Sequence, residues 1–152
     1  MEIIEVRNKD YEALRNLFLE ERKLTFTWLN TSDFQLDDFE KHTQGELILA
    51  ALHEDIPIGF ISIWTPTNFI HQLYIHHKHQ NKGIASKLLK AVISKTKIPL
   101  TLKCLENNLK AVDFYKRKGF IEKRKGQSEN GTYILFELKK QTKNNESRNS
   151  IL

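Results

Sequence analysis

"LYIHHKHQNKGIASKLL", Leu73–Leu89, runs from an apolar strand end, through a polar turn with one glycine, into a helix. Upstream, "FIHQLYI" has the alternating apolar character of a strand, and downstream Ile84, Leu88 and Val92 recur at helical spacing. A strand–turn–helix junction exposes unpaired backbone N–H groups at the positive end of the helix dipole. Gly83 lets a ligand approach the backbone with no Cβ in the way, Ala85 and Ser86 keep the first turn small, and Lys82 adds positive charge. In physical terms this is a phosphate cradle, although many helices begin in the same way.

Other uses of the same stretch fit less well. His76, His77 and His79 suggest a metal, but neighbours at a strand end point to opposite faces. The nearby sequence offers no Cys, Asp or Glu to complete a tetrahedral shell. The expectation is therefore solvated loop histidines and no metal. The pattern G-x-x-x-x-G-K-[ST] is absent, because Lys82 precedes Gly83 and no earlier glycine stands at the right distance. G-x-G-x-x-G is absent too.

Working outward, "IIEVR" reads as a strand, and Asn8 as the cap of a helix to about Lys23, with Tyr11, Leu14, Leu17 and Phe18 on its apolar stripe. "TFTWLNTS" is an aromatic-rich loop before a helix capped by Ser32 and ending near Gly45. "ELILAALH" and "IGFISIW" flank the turn "EDIP" as a hairpin. After the glycine junction, "PLTLKCL" is a strand, and "NNLKAVDFYKRKGF" a helix capped by Asn107 or Asn108 and ended by Gly119. "IEKRKG" and "TYILFEL" close the chain as a hairpin across "QSENG". The order β-α-α-β-β-β-α-β-α-β-β describes an α/β (α+β) fold over residues 1–140, followed by a polar, mobile tail over 141–152.

At 152 residues the chain fits one domain with a full core, and 39% hydrophobic with 28% charged residues is ordinary for a globular protein. The net charge of +5 suits an anionic ligand but is spread along the chain. Its densest cluster, "KRKGFIEKRK", reads as a solvated face, and no stacking-aromatic module accompanies it, so nucleic acid is not the expected partner. One cysteine, Cys104, ties the chain to no oxidising compartment. No apolar run approaches a membrane span, and "MEIIEVRNKD" is too polar for a signal peptide. The expected location is the cytoplasm, without membrane association.

Gln80-x-x-Gly83-x-Ala85 resembles the Q/R-x-x-G-x-G/A signature of the GNAT superfamily of N-acetyltransferases. "NNLKAVDFYKRKGF" is similar to the family's N-x-x-A-x-x-F-Y-x-x-x-G-F segment, and the two matches fall in family order and spacing. His77 stands where the family often has Pro. The resemblance implies a single GNAT-like domain: a central mixed, mostly antiparallel seven-stranded sheet flanked by four helices. It also implies acetyl-CoA, or another acyl-CoA, as donor and a primary amine, in a small molecule or peptide, as acceptor. Backbone of Leu73, Tyr74 and Ile75 would pair with the pantetheine arm, and Gln80, Asn81, Lys82, Gly83, Ile84, Ala85 and Ser86 would hold the pyrophosphate. Asn108 would position the thiol end. A homodimer is common for this resemblance.

Direct attack of an amine on a thioester, through a tetrahedral intermediate, needs a neutral amine, alignment, a held oxyanion and a proton for the thiolate. Tyr115 matches the family's general acid. His71, on the strand before the cradle, is the candidate base, with Glu46 and Glu106 as weaker alternatives. Lys103 stands where relatives that acetylate protein N-termini often carry Glu, which weighs against ribosomal-protein acetylation. Cys104 reads as core. Phe26, Trp28 and Phe34, with Trp64 and Phe69, are expected to line the acceptor side, and Asp33, Asp37 and Asp38 either attract a cationic amine or serve the helix N-terminus. The rival expectation is a non-catalytic acyl-CoA-binding module of the same fold.

Overall fold

The elements follow the expected order: β1 (Glu2–Glu5), α1 (Tyr11–Thr25), α2 (Asp38–Thr43), β2 (Leu47–His53), β3 (Ile56–Trp64), β4 (Phe69–Ile75), α3 (Ile84–Lys95), β5 (Leu100–Leu105), α4 (Leu109–Arg117), β6 (Ile121–Ser128) and β7 (Gly131–Leu138). They are seen in a computed structural model that describes residues 1–139, so the expected tail at 141–152 lies outside the described residues. The described chain forms two compact units, Met1–Thr96 and Lys97 onward.

In the first unit β1, β2, β3 and β4 pair antiparallel in that order. β3 is buried along nearly its whole length, so both its faces are covered. Ile48 and Phe60 join Leu14, Leu17 and Phe18 of α1 and Phe39 of α2 in one cluster, with Tyr74 packed against it. Side chains alternate between faces, which leaves Leu49 and Ile61 on the other side, and α3 packs on β2, β3 and β4. Burying a Phe of this kind contributes roughly 2–3 kcal/mol. In the second unit β7 lies between β5 and β6, all antiparallel. Lys123, Arg124 and Lys125 on β6 are exposed, charges that discourage a strand from recruiting another. No helix among the described residues is long and apolar enough to cross a membrane.

Local chemistry moved several expected boundaries. Asn8 does not cap α1; it opens a short 3-10 turn, and Asp10 Oδ2 accepts instead from the Arg7 backbone N–H at 2.8 Å. Ser32 lies inside another 3-10 turn, where Asn30 accepts its N–H, and α2 is only a short helix begun six residues later at Asp38. The β2–β3 turn is Glu54-Asp55 alone, both at positive φ (52° and 66°), the geometry that matches the twist of a hairpin. Arg7 and Lys9 anchor the Asp55 carboxylate at 3.0 and 2.8 Å, which offsets that strain. Of the two candidate caps for α4, Asn108 is the one used, accepting from Ala111 N–H at 3.4 Å.

Candidate active site

The cradle is built as the sequence suggests. After β4 the chain makes a 3-10 turn at His77–His79, then takes the left-handed conformation at Asn81 (φ 64°) and Gly83 (φ 81°) before entering α3. A Cβ added at Gly83 would meet nothing within 4 Å, so the loop is open there, and no side chain caps the helix. The first-turn N–H groups of α3 are thus left for another acceptor. Asn81, Lys82 and Gly83 are exposed, Ala85 and Ser86 half-buried, and Ile84 is buried as the helix's first core anchor.

Sequence reasoning missed the residue that holds this loop. Glu21, on α1 and only 2% exposed, accepts the His77 backbone N–H at 3.0 Å through Oε2, and His77 Nδ1 lies 2.7 Å from the same oxygen. Gln80 Nε2 donates to the Ile75 carbonyl at 3.0 Å and reaches Glu21 Oε1 at 3.5 Å. The sequence beside these histidines holds no carboxylate, but the fold brings one from 56 positions away. Donor atoms of Glu21, His76 and His77 fall within 4.8 Å of one another. The His76 and His77 rings stack at 4.3 Å with planes 22° apart, however. His76 Nδ1 accepts from the Lys78 N–H at 3.2 Å, so one nitrogen of each ring is already engaged within the protein. No spacing rule could have found Glu21, since it lies on another element.

His71 occupies a backbone irregularity. Ser62 pairs with Gln72 and Ile63 with Ile70, which leaves His71 as the extra residue of a bulge in β4. Bulges re-aim side chains and recur beside active sites. His71 Nδ1 lies 2.9 Å from Glu46 Oε2, whose side chain is 8% exposed, while the buried Glu46 Oε1 has no partner among the described residues. His42 stacks on His71 at 6.5 Å and Phe69 lies at 6.3 Å. Burial, chiefly, pushes the His42 pKa below its ordinary 6.5. The half-exposed Trp64 neighbours Phe69 across the β3–β4 ladder and lies on Gly45, where an added Cβ would come within 3.2 Å of the ring. The structure thus gathers His71, Trp64 and Phe69, all expected from sequence, with Glu46 and the unforeseen His42.

The aromatic loop divides. Phe26 and Trp28 pair edge-to-face at 5.5 Å. Phe34 instead covers one side of the buried Arg22 guanidinium at 4.4 Å, with Phe18 at 3.9 Å on the same group. Arg22 also pairs with Asp38 at 3.1 Å. Desolvation works against the Asp38 carboxylate, yet the Gln35 N–H and Arg22 outweigh it and hold its pKa below the ordinary 3.8. Asp38 therefore serves the protein's own cation, and Asp37 pairs with Lys41 at 3.3 Å.

In the second unit Asn108 caps α4, and Tyr115 on that helix is 8% exposed among Phe114, Phe120 and Phe136. Glu106 pairs with Lys125 at 3.1 Å, and Lys103 lies over the Tyr133 ring at 4.8 Å. Burial pushes the Cys104 thiol up to about 12, which leaves it an inert core residue.

A loop that opens an uncapped helix thus follows a strand with a carboxylate-held histidine at its bulge. The sequence pattern of the Acetyltransferase (GNAT) family matches residues 11–120, and the chain belongs to that family. No curated protein matches it. Among solved structures, apo YjaB from Escherichia coli is similar at a TM-score of 0.76 and 20% identity, covering 90% of this chain and 96% of that one. PaiA N-acetyltransferase from Thermoplasma acidophilum, solved with coenzyme A, is similar at 0.74 and 21%, covering 91% and 98%. YncA from Salmonella typhimurium, solved with its cofactor acetyl-CoA, is similar at 0.73 and 17%, covering 91% and 93%. The expected fold class, a GNAT-like α/β domain with seven strands in a mixed sheet and four helices, holds.

Proposed function

We propose that the chain transfers an acetyl group from acetyl-CoA to a primary amine by direct attack through a tetrahedral intermediate. The observation that carries this reading is the Glu46–His71 pair at the β4 bulge, on the strand that leads into the open Gly83 loop. Two of the similar structures hold coenzyme A or acetyl-CoA, which supports the same donor for this loop. Amides of Asn81–Ser86 then take the diphosphate, the Gly83 gap admits it, and the backbone of Leu73, Tyr74 and Ile75 pairs with the pantetheine arm.

An alkyl amine with a pKa of ~10 is charged at neutral pH, so it must lose a proton before attack. Glu46 beside Nδ1 favours the tautomer with its proton on that nitrogen, leaving the Nε2 lone pair of His71 to receive the amine's proton. The neutral nitrogen adds to the thioester carbon, the C–S bond breaks, Tyr115 gives its proton to the sulfur, and the surplus proton on the new amide nitrogen passes to the Tyr115 phenolate, with Asn108 steadying the thiol end. Trp64, with Phe26, Trp28 and Phe34, forms apolar wall for the acceptor.

The test is thiol release from acetyl-CoA against a panel of amines. The proposal expects release with at least one amine, and a Tyr115→Phe turnover lowered on the order of 100-fold with acetyl-CoA affinity little changed. Acetyl-CoA binding with no turnover on any amine would instead identify a non-catalytic acyl-CoA-binding module.

A further inference from the structure

Ionised side chains are almost never fully buried without partners, and burying one carries a desolvation cost of several kcal/mol. α1 buries two in succession, Glu21 and Arg22, and neither takes part in the chemistry proposed above. Successive helical residues point about 100° apart, so the two address different surroundings. Glu21 turns to the cradle: its carboxylate takes the His77 N–H, faces the His77 ring nitrogen, and meets the Gln80 amide. Arg22 turns to the aromatic loop: it pairs with Asp38, reaches the Gln35 carbonyl at 3.5 Å, and carries the Phe34 ring on its face. Its Nε donates to the Phe18 carbonyl one turn back at 3.1 Å, which fixes the guanidinium on the helix.

We infer that Glu21 and Arg22 are positioning residues through which one turn of α1 sets two loops, Glu21 the loop for the acyl-CoA diphosphate and Arg22 the loop on the amine side. The inference rests on the proposed acetyltransferase reading and adds the means by which the two loops keep their places. A loop by itself holds its amides loosely, whereas a side chain locked on a helix holds them to a fraction of an ångström. Gln80 belongs to this arrangement as well. Its side-chain amide is spent on Ile75 and Glu21, so its contribution is to shape the turn between strand and cradle. The histidine at position 77 adds a ring contact to Glu21 besides the backbone N–H.

The experiment is isothermal titration of the full chain with acetyl-CoA and with S-acetylpantetheine, which lacks the diphosphate. Glu21→Gln keeps the size and removes the charge, and is expected to weaken acetyl-CoA about tenfold, the worth of a charged hydrogen bond, with S-acetylpantetheine unchanged. His77→Ala removes only the exposed ring and keeps the backbone donor, so it folds more safely and is expected to weaken acetyl-CoA in the same direction by a smaller factor. Arg22→Lys keeps the charge and loses the planar fork. It is expected to leave acetyl-CoA affinity as in the unmodified protein, while raising KM for the amine found by thiol release more than it lowers kcat. Parallel weakening of both probes in Glu21→Gln, no weakening of either, or an equal loss of acetyl-CoA in Arg22→Lys would overturn the inference. Failure of the unmodified protein to bind acetyl-CoA overturns the acetyltransferase reading itself, and that result is visible before any variant is made.

Discussion

Two carboxylate–histidine pairs stand in the first unit, and by distance alone they are twins. Glu21 lies 2.7 Å from His77 and Glu46 lies 2.9 Å from His71, with each carboxylate buried and each imidazole half-exposed. What separates them is the rest of each group's hydrogen bonding. Glu21 also accepts a backbone N–H from His77, and its second oxygen meets Gln80. Glu46 touches His71 through one oxygen, and the other is buried without a partner among the described residues. His77 sits within a 3-10 turn, whereas His71 is the residue a bulge leaves out of the ladder. A buried carboxylate with both oxygens engaged holds structure together. One with an oxygen left over, beside a re-aimed imidazole, fits the proton transfer proposed for His71.

The strongest way to break this contrast is to remove each imidazole. His71→Ala is expected to lower kcat/KM for the best amine at least ~100-fold, the usual contribution of a general base, with acetyl-CoA affinity unchanged. Added imidazole should restore part of that turnover by filling the gap. His77→Ala should leave kcat within about threefold of the unmodified protein, since its ring touches only the loop holder. Equal losses of kcat at both positions would show that the two pairs do not divide the work.

Asp10 extends the comparison to a carboxylate whose contacts are all structural. Arg7 holds it through backbone N–H, Nε and guanidinium N–H at 2.8, 3.0 and 2.8 Å. The Arg7 side-chain hydrogen bonds, against the opposing effect of burial, keep its pKa below the ordinary 3.8. A folded pKa below the unfolded one gives stability that is present above pH 3.8 and lost as pH falls through the folded value. Asp10→Asn is therefore expected to cost about 1–3 kcal/mol at neutral pH in urea unfolding, and to flatten the decline in stability on acidification. An unchanged acid limb would remove the carboxylate from that account.

Much of this was legible in the sequence, for reasons that can be traced. The β2–β3 and β4 alternation, the helical spacing of Ile84, Leu88 and Val92, and the single glycine before them are local signals, and each yields a local element. Of the residues named through patterns that resemble the family's, Gly83 is seen in an open left-handed turn and Asn108 as the cap of α4. Glu21 and His42 were not legible, because neither has a local signature and both act through contacts that only tertiary packing makes. The caps failed where two residues of the same type compete. Asn8 and Ser32 are good caps by composition, but Arg7–Asp10 and Asn30 made stronger local bonds. Asp38 could be read for a cationic amine or for the helix N-terminus, and its use by Arg22, on whose face Phe34 also lies, is invisible without knowing that Arg22 is buried.

Glu46→Gln tests whether the charge of the His71 partner matters as well as its position. The amide keeps the length of the side chain and can still hydrogen-bond the ring, but it no longer favours the proton on Nδ1 by charge. A fall in kcat of roughly tenfold is expected, with KM for acetyl-CoA unchanged. A matching fall in Glu21→Gln, on kcat instead of acetyl-CoA affinity, would erase the distinction between the two pairs.

The smallest effect is expected at the remaining buried titratable group, Cys104. A two-step route would load the acetyl group on its sulfur, and that needs a thiolate. At 7% exposure, with burial holding the thiol at about 12 and Sγ directed to the Leu105 carbonyl at 3.6 Å, almost none is ionised at neutral pH. The second unit shows no imidazole beside it among the described residues, in contrast to the carboxylate-held histidines of the first. Cys104→Ala is thus expected to keep kcat within about twofold while costing on the order of 1 kcal/mol of stability through lost packing. Acetylated protein trapped at Cys104 after mixing with acetyl-CoA, together with loss of turnover in the alanine variant, would move the chemistry from direct attack to an acyl-enzyme and make His71 a bystander.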